Sequence, residues 1–149
     1  MATAPTIIID KNTVVGDISK DAFAKLAVAD LAKLTAIQTA DITADQAATF
    51  TTTTLAAVKQ VSLSADALAA IPVKAIPALV LKNVAPDAFN NFSVAQVAGL
   101  TADQVKTIST QTYAAMSDDL FTSFAAKGML NAIDFKKVPV GSISKLLPA

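Results

Sequence analysis

Apolar residues in the middle of this chain fall at alternating steps of five and three: Leu100, Val105, Ile108, Tyr113, Met116, Phe121 and Phe124. Neither common element carries that rhythm as one continuous piece. An α-helix turns about 100° per residue, so eight residues overshoot two turns by about 80° and no fixed apolar stripe survives three repeats. In a strand, steps of five and three are both odd, so successive apolar residues would point to opposite faces. Breaking the helix once per octad resolves the geometry. In Leu100-Thr-Ala-Asp-Gln-Val105, Thr101 is placed to cap a helix N-terminus and Gln104 to reach back and close a capping box. Leu100 and Val105 then form the two arms of a hydrophobic staple, and Asp103 sits where the helix dipole favours negative charge. Ser109 and Ser117 repeat the cap, and Asp118 and Asp119 repeat the first-turn acid.

The rhythm begins at Ile18 with ISKDAFAK and LAVADLAK. In LTAIQTAD the inner apolar position is the polar Thr39, with Ile37 as its candidate substitute. ITADQAAT follows from Ile42, with Ala47 as a small filler, and then FTTTTLAA from Phe50, its four threonines disfavouring a long helix. Two slips interrupt the pattern, Val58 to Leu63 and Leu79 to Val84, where a three-residue step is missing. Each should change the rotation between neighbouring helices or mark a longer one. Pro72 and Pro77 close off helix extension from the preceding residue, and Pro86 falls at a first helical position. One octad cannot bury its apolar side alone, whereas stacked neighbours can. The predicted fold is all-α: a compact solenoid or superhelix of very short helices in eight-residue repeats, with short extended segments at both termini.

Three parts make up a single domain. Residues 1–17 form an extended N-terminal arm, in which β-branched runs flank Asp10-Lys-Asn12 and read as a short hairpin or two extended pieces. Packing on the first helices is preferred over an edge offered to another chain. Residues 18–124 are the octad domain. Residues 125–149 are a C-terminal helix and an irregular cap, with a longer helix over Ala125 to Ile133 and an extended stretch from Phe135 to Lys145.

Composition narrows the function more by what is missing than by what is present. The chain of 149 residues has no Cys, His, Trp, Arg or Glu, and its 12 Lys balance 12 Asp. Thiol chemistry, the usual zinc sites, the commonest general base and the bidentate phosphate clamp are thereby excluded. No basic field exists to hold nucleic acid, and no apolar run approaches the ~18 residues of a membrane span. The N-terminus lacks a signal peptide's basic region and apolar core, which fits a cytoplasmic chain, export by another route, or a mature piece.

Candidate chemistry is sparse. Asp118 and Asp119 are adjacent and diverge on a helix. Asp10 and Asp17 flank a turn and offer at most a weak Ca²⁺ site, a solvated turn being preferred. Tyr113 occupies a staple position, its ring in the core and its hydroxyl near the rim. Lys20, Lys25, Lys33, Lys59, Lys74 and Lys106 read as solubilising surface. Asn91-Phe-Ser93 matches a glycosylation sequon, against which stands the staple role of Phe92. No catalytic, cofactor-binding or metal residue is assigned, and no cofactor is expected.

The octad, apolar-[Ser/Thr/Pro]-x-x-x-apolar-x-x over Ile18 to Phe124, resembles the short-helix superhelical repeats of mesothelin, stereocilin and otoancorin. It is also similar to Leu-Thr-x-x-Gln-Val octads of large bacterial surface and secreted proteins, which the cysteine-free, Thr/Ala-rich composition fits better. LTADQVKTIS from Leu100 is similar to the start of a transcription activator-like effector repeat, but the period here is 8 and no base-reading loop follows. The octad resemblance implies a non-enzymatic structural or adhesive module of a bacterial surface or secreted assembly. The alternative is a soluble adaptor holding a protein or peptide, with a cytoplasmic location. The expected partner is protein, with self-association through the terminal extended segments as one route; nucleic acid and membrane insertion are not expected.

Overall fold

A computed structural model of the chain describes residues 7–126 and 128–144. Every regular element in it is helical and short; among the described residues there is no strand. In chain order the pieces are η1 (Val15–Asp17, η denoting a 3₁₀ helix), α1 (Lys20–Phe23), α2 (Val28–Lys33), α3 (Ala36–Ala40), α4 (Ala44–Ala47) and α5 (Thr52–Ala57). There follow η2 (Gln60–Ser62), α6 (Ala65–Ala70), η3 (Val73–Ala78), η4 (Leu81–Asn83), η5 (Asp87–Asn91) and α7 (Val94–Ala98). The last are α8 (Ala102–Lys106), α9 (Thr110–Ala115), α10 (Asp118–Ala126), η6 (Met129–Ala132), η7 (Phe135–Lys137) and α11 (Val140–Ile143).

The caps explain the shortness. Thr35, Thr43, Ser93 and Thr101 each accept from the N–H three residues on, where a glutamine returns the bond to the cap's own N–H. Thr51 does the same with Thr54. The staple arms are buried: Leu100 with Val105, Phe50 with Leu55, Phe92 with Val97. Each octad thus closes one helix and opens the next at a backbone position held extended, as at Thr101 with ψ 156°.

Both slips hold a single 3₁₀ turn rather than a longer helix. At Val58–Leu63 the Ser62 and Leu63 N–H groups donate to Lys59 O and Gln60 O. At Leu79–Val84 the Asn83 and Val84 N–H groups donate to Val80 O and Leu81 O. The same pair of bonds recurs in η1 (Asp17 and Ile18 to Val14 and Val15) and in η7 (Lys137 and Val138 to Asp134 and Phe135). A five-residue step leaves room for only one i→i+3 turn between two buried apolar residues.

Packing between units is regular. With one exception, α10 against its neighbour η6, every closely packed pair stands three places apart in chain order. Three rows result. The first joins η1, α3 and η2 and, further on, α8 and η6; the second joins α1, α4, α6, η5 and α9; the third joins α2, α5, η3, α7 and α10. Side chains tie η4 into the first row: Gln60 Oε1 accepts from Val80 N at 2.6 Å, and Gln104 Nε2 donates to Leu79 O at 2.7 Å. The core runs between the rows as one cluster, with Phe23 edge-on to Phe50 at 5.9 Å and Tyr113 edge-on to Phe121 at 6.1 Å.

Several expectations need correction. Ile37 does not replace Thr39: it is 77% exposed, while Thr39 is buried with its hydroxyl donating to Thr35 O at 2.9 Å. That internal bond satisfies the polar group the core would otherwise reject. Pro77 lies inside η3 rather than ending it, because the bonds there run from Ala75 N to Pro72 O and from Leu79 N to Ile76 O and need no N–H at 77. The longer helix comes earlier than expected, at α10, and the chain turns at Gly128 in the left-handed region, φ 69°. The stretch from Phe135 to 144 is not extended: η7 and α11 fill most of it, and Lys145 lies outside the described residues. At the N-terminus no hairpin ladder forms among the described residues; Thr13 to Asp17 runs into η1 instead. The arm packs on the first helices, with Val15 fully buried; residues 1–6 lie outside the description.

Candidate interaction surface

The capping-box glutamines do more than cap. Gln38 Nε2 donates to Asp10 O and Thr13 O at 2.7 and 3.1 Å, 28 and 25 residues back. Gln104 Nε2 donates to Ile76 O and Leu79 O at 2.8 and 2.7 Å, at the same offsets of 28 and 25. Gln46 reaches Val15 O and Ile18 O, and Gln96 reaches Leu68 O, Ala69 O and Ile71 O. One amide therefore serves two tasks: its oxygen accepts locally from the cap, and its NH₂ fastens the helix to backbone 25 to 31 residues earlier. Asn90 does the equivalent forward, donating to Ala115 O and accepting from Ser117 N at 2.7 Å each. Of these side chains the sequence singled out Gln104 alone, and only as a cap. The missed signal is the complete absence of Glu, which closes a capping box as well as Gln but has no N–H to donate.

Beside one such fastening lies a surface concavity. Because η4 is a single 3₁₀ turn, it leaves α8 partly uncovered. The cleft between them has a volume of about 340 Å³ and is lined chiefly by Leu79, Val80, Leu81, Lys82, Asp103 and Thr107. Its floor is apolar. Its rim carries Lys82 and Asp103, the latter paired with Lys106 at 3.1 Å. Exposed aliphatics at Val14, Ile37, Val61 and Val80 mark four units of the same row. Such a surface offers shape and apolar area to a partner.

The residues singled out for chemistry are scattered. The Asp10 carboxylate is taken up by its own turn, accepting from Asn12 N at 2.9 Å and from the Thr13 hydroxyl at 3.0 Å, which hold it below the usual aspartate value. Among the described residues no three ligating side chains gather at one point. Asp118 and Asp119 open α10 in its first turn. Lys33 pairs with Asp30 at 3.0 Å on the surface. Lys59 is not simple surface: its Nζ donates to Leu34 O at 2.7 Å, closing the C-terminus of α2 across 25 residues. Tyr113 is also a correction. Its hydroxyl is buried rather than at the rim, donating to Val105 O at 3.4 Å. Desolvation, with the charge of Asp134 adding, pushes its pKa up to about 12. In the sequon, Asn91 donates to Ala88 O, Phe92 is buried and the Ser93 hydroxyl caps α7.

No family model matches the chain, and no curated protein or solved structure is significantly similar to it. No described helix is long and apolar enough to cross a membrane.

Proposed function

We propose that this chain is a non-enzymatic structural module whose short helices wind into a superhelical coil, three units to the turn, forming part of a bacterial surface or secreted assembly. The observation that carries the reading is where the buried polar side chains go. Gln38, Gln46, Gln60 and Gln96 hold one unit to another, and Thr39 and Ser123 bond their own helices. The interior polar chemistry is committed to holding the stack together, as suits a wall or spacer. The octad resemblance to bacterial surface proteins supplies the setting.

Two measurements test it. Six turns at about 8–10 Å each make a particle roughly 50–60 Å long, so solution scattering should return an elongated shape; a sphere would refute the coil. Surface labelling and fractionation of the source cell should find the protein outside or at the envelope, and a purely cytosolic pool would refute the setting. The cleft between η4 and α8 favours a second reading, a soluble adaptor that holds a peptide by an apolar side chain. A peptide library screened against wild type and Val80→Asp tests it, since Val80 lines the cleft and is exposed, and a true cleft ligand is lost with that substitution.

A further inference from the structure

We propose that the first row carries a docking face for a second copy of this chain, laid side by side and antiparallel about a two-fold axis between α3 and η2. The face rests on the packing of η1 to η4 and not on the setting inferred above. Exposed aliphatic side chains mark it. Val14, Ile37, Val61 and Val80 are 54, 77, 67 and 39% exposed, and they belong to four successive units of this row, η1, α3, η2 and η4. Val14 and Val80 stand at the same place, one residue before their 3₁₀ turns, with φ −84° and ψ 104° against φ −95° and ψ 94°. No other row has such a run. In the second row α4, α6 and η5 carry no exposed large aliphatic, and in the third α5 interrupts Val28, Val73 and Val94.

Charge is divided along this strip. Its first half carries Asp17 in η1 and Asp41 closing α3. The two units lie against each other there, with Asp41 O 3.2 Å from where a Cβ on Gly16 would stand. The second half carries Lys59 before η2 and Lys82 in η4, units joined by the bond from Val80 N to Gln60 Oε1 at 2.6 Å. All four charged side chains are exposed, and among the described residues none has an ion-pair partner. Lys59 gives one N–H to Leu34 O and keeps two. Charges just beyond the strip are already balanced: Asp10 adjoins Lys11, and Asp103 pairs with Lys106 at 3.1 Å.

Two copies can meet along the strip in two directions, and the charges select one. In a parallel pair each unit faces its own equivalent, so Asp17 meets Asp17 and Lys82 meets Lys82, which repels. In an antiparallel pair η1 faces the second copy's η4, and α3 faces its η2. Asp17 then meets Lys82 and Asp41 meets Lys59. Ile37 packs on Val61, and Val14 packs on Val80 at the mouth of the cleft between η4 and α8. The two-fold axis makes every contact twice, and an isologous interface of this kind closes at two copies. Four units at about 8–10 Å spacing, each about 10–12 Å across with its side chains, make roughly 300–500 Å² per copy. That is below the ~800 Å² per partner of a standard interface, so the pair is reversible. A net charge of zero leaves no overall repulsion between copies.

Sedimentation velocity over a concentration series tests this with the full-length chain. Wild type should approach the mass of a dimer and stop there. Ile37→Asp, beside the axis, should weaken association tenfold or more, and Asp17→Lys and Lys82→Asp severalfold each. An equimolar mixture of Asp17→Lys and Lys82→Asp should recover wild-type dimerisation, because the two reversed charges face each other and the two unaltered ones do as before. Val94→Asp, on the third row, should match wild type. Wild type monomeric throughout, mass growing past a dimer, Ile37→Asp associating like wild type, or a mixture no tighter than either variant alone would each overturn the face. Association lost in Val94→Asp would overturn it too, by moving the contact to the third row. Every substituted side chain is exposed, so circular dichroism should be unchanged. Scattering at low concentration reports on the coil separately: an elongated monomer that never pairs refutes this inference alone.

Discussion

Gln104→Glu separates the local role of the capping-box glutamine from its long-range one. The substitution is nearly isosteric and keeps the acceptor that Thr101 N uses at 2.8 Å. A carboxylate at this position near a helix N-terminus is worth about 0.3–1 kcal/mol in favour. If capping were all that Gln104 did, the variant would be as stable as wild type or more so. The structure predicts the reverse. Both Nε2 bonds, to Ile76 O at 2.8 Å and Leu79 O at 2.7 Å, are lost, at about 1 kcal/mol each. A carboxylate oxygen then faces two carbonyl oxygens in a half-buried site, adding about 1–3 kcal/mol. The net loss is roughly 2–4 kcal/mol against a total stability of about 5–15. Urea denaturation followed by circular dichroism at neutral pH measures it. The sign with pH follows. The carbonyl oxygens favour the neutral acid, so the folded-state pKa of the new carboxyl is raised. Stability is then higher below the ordinary carboxyl value of about 4.3 and declines as pH rises through the folded value. Gln111→Glu is the control, because Gln111 is exposed in the first turn of α9 and should tolerate the change. A Gln104→Glu midpoint equal to or above wild type would refute the long-range fastening.

Other outcomes follow from the same geometry. Val105→Asp should unfold the domain, since an unpaired charge at a fully buried position costs several kcal/mol, whereas Thr101→Ala should cost about 1 kcal/mol; equal denaturation midpoints would contradict the staple. Gly99→Ala should destabilise by about 1–3 kcal/mol despite an ordinary φ of −81°, because its Cβ would stand 3.0 Å from Val73 Cγ1 and 3.1 Å from Val73 O; a thermal melt matching wild type would show that the neighbouring turn can move away. Tyr113 is the sole tyrosine, so tyrosinate absorbance reads it directly. Its raised pKa means that its contribution to stability is complete below about pH 10 and is lost as pH rises toward about 12. A native-state titration near 10 would place the hydroxyl in water instead.

The octad rhythm determined the local structure because its causes are local. A cap, a first-turn acid and two staple arms lie within six residues, and they stop and restart the helix whatever surrounds them; Thr101 and Val105 behave as their spacing requires. The slips at Val58 and Leu79 were equally visible, although their 3₁₀ form came from the room left between two buried residues. The same motif at Asp134 was missed because its flanking residues, Phe135-Lys-Lys137, hide the apolar step. Which unit rests on which was decided only in three dimensions. The bonds from Gln104 to carbonyls 25 and 28 residues away depend on which units come to lie side by side, a sum over cap angles that no single octad records. Thr39 and Tyr113 make the same point at the level of one side chain. Whether a hydroxyl is buried and bonded depends on the turn that covers it, and covering is a property of the stack.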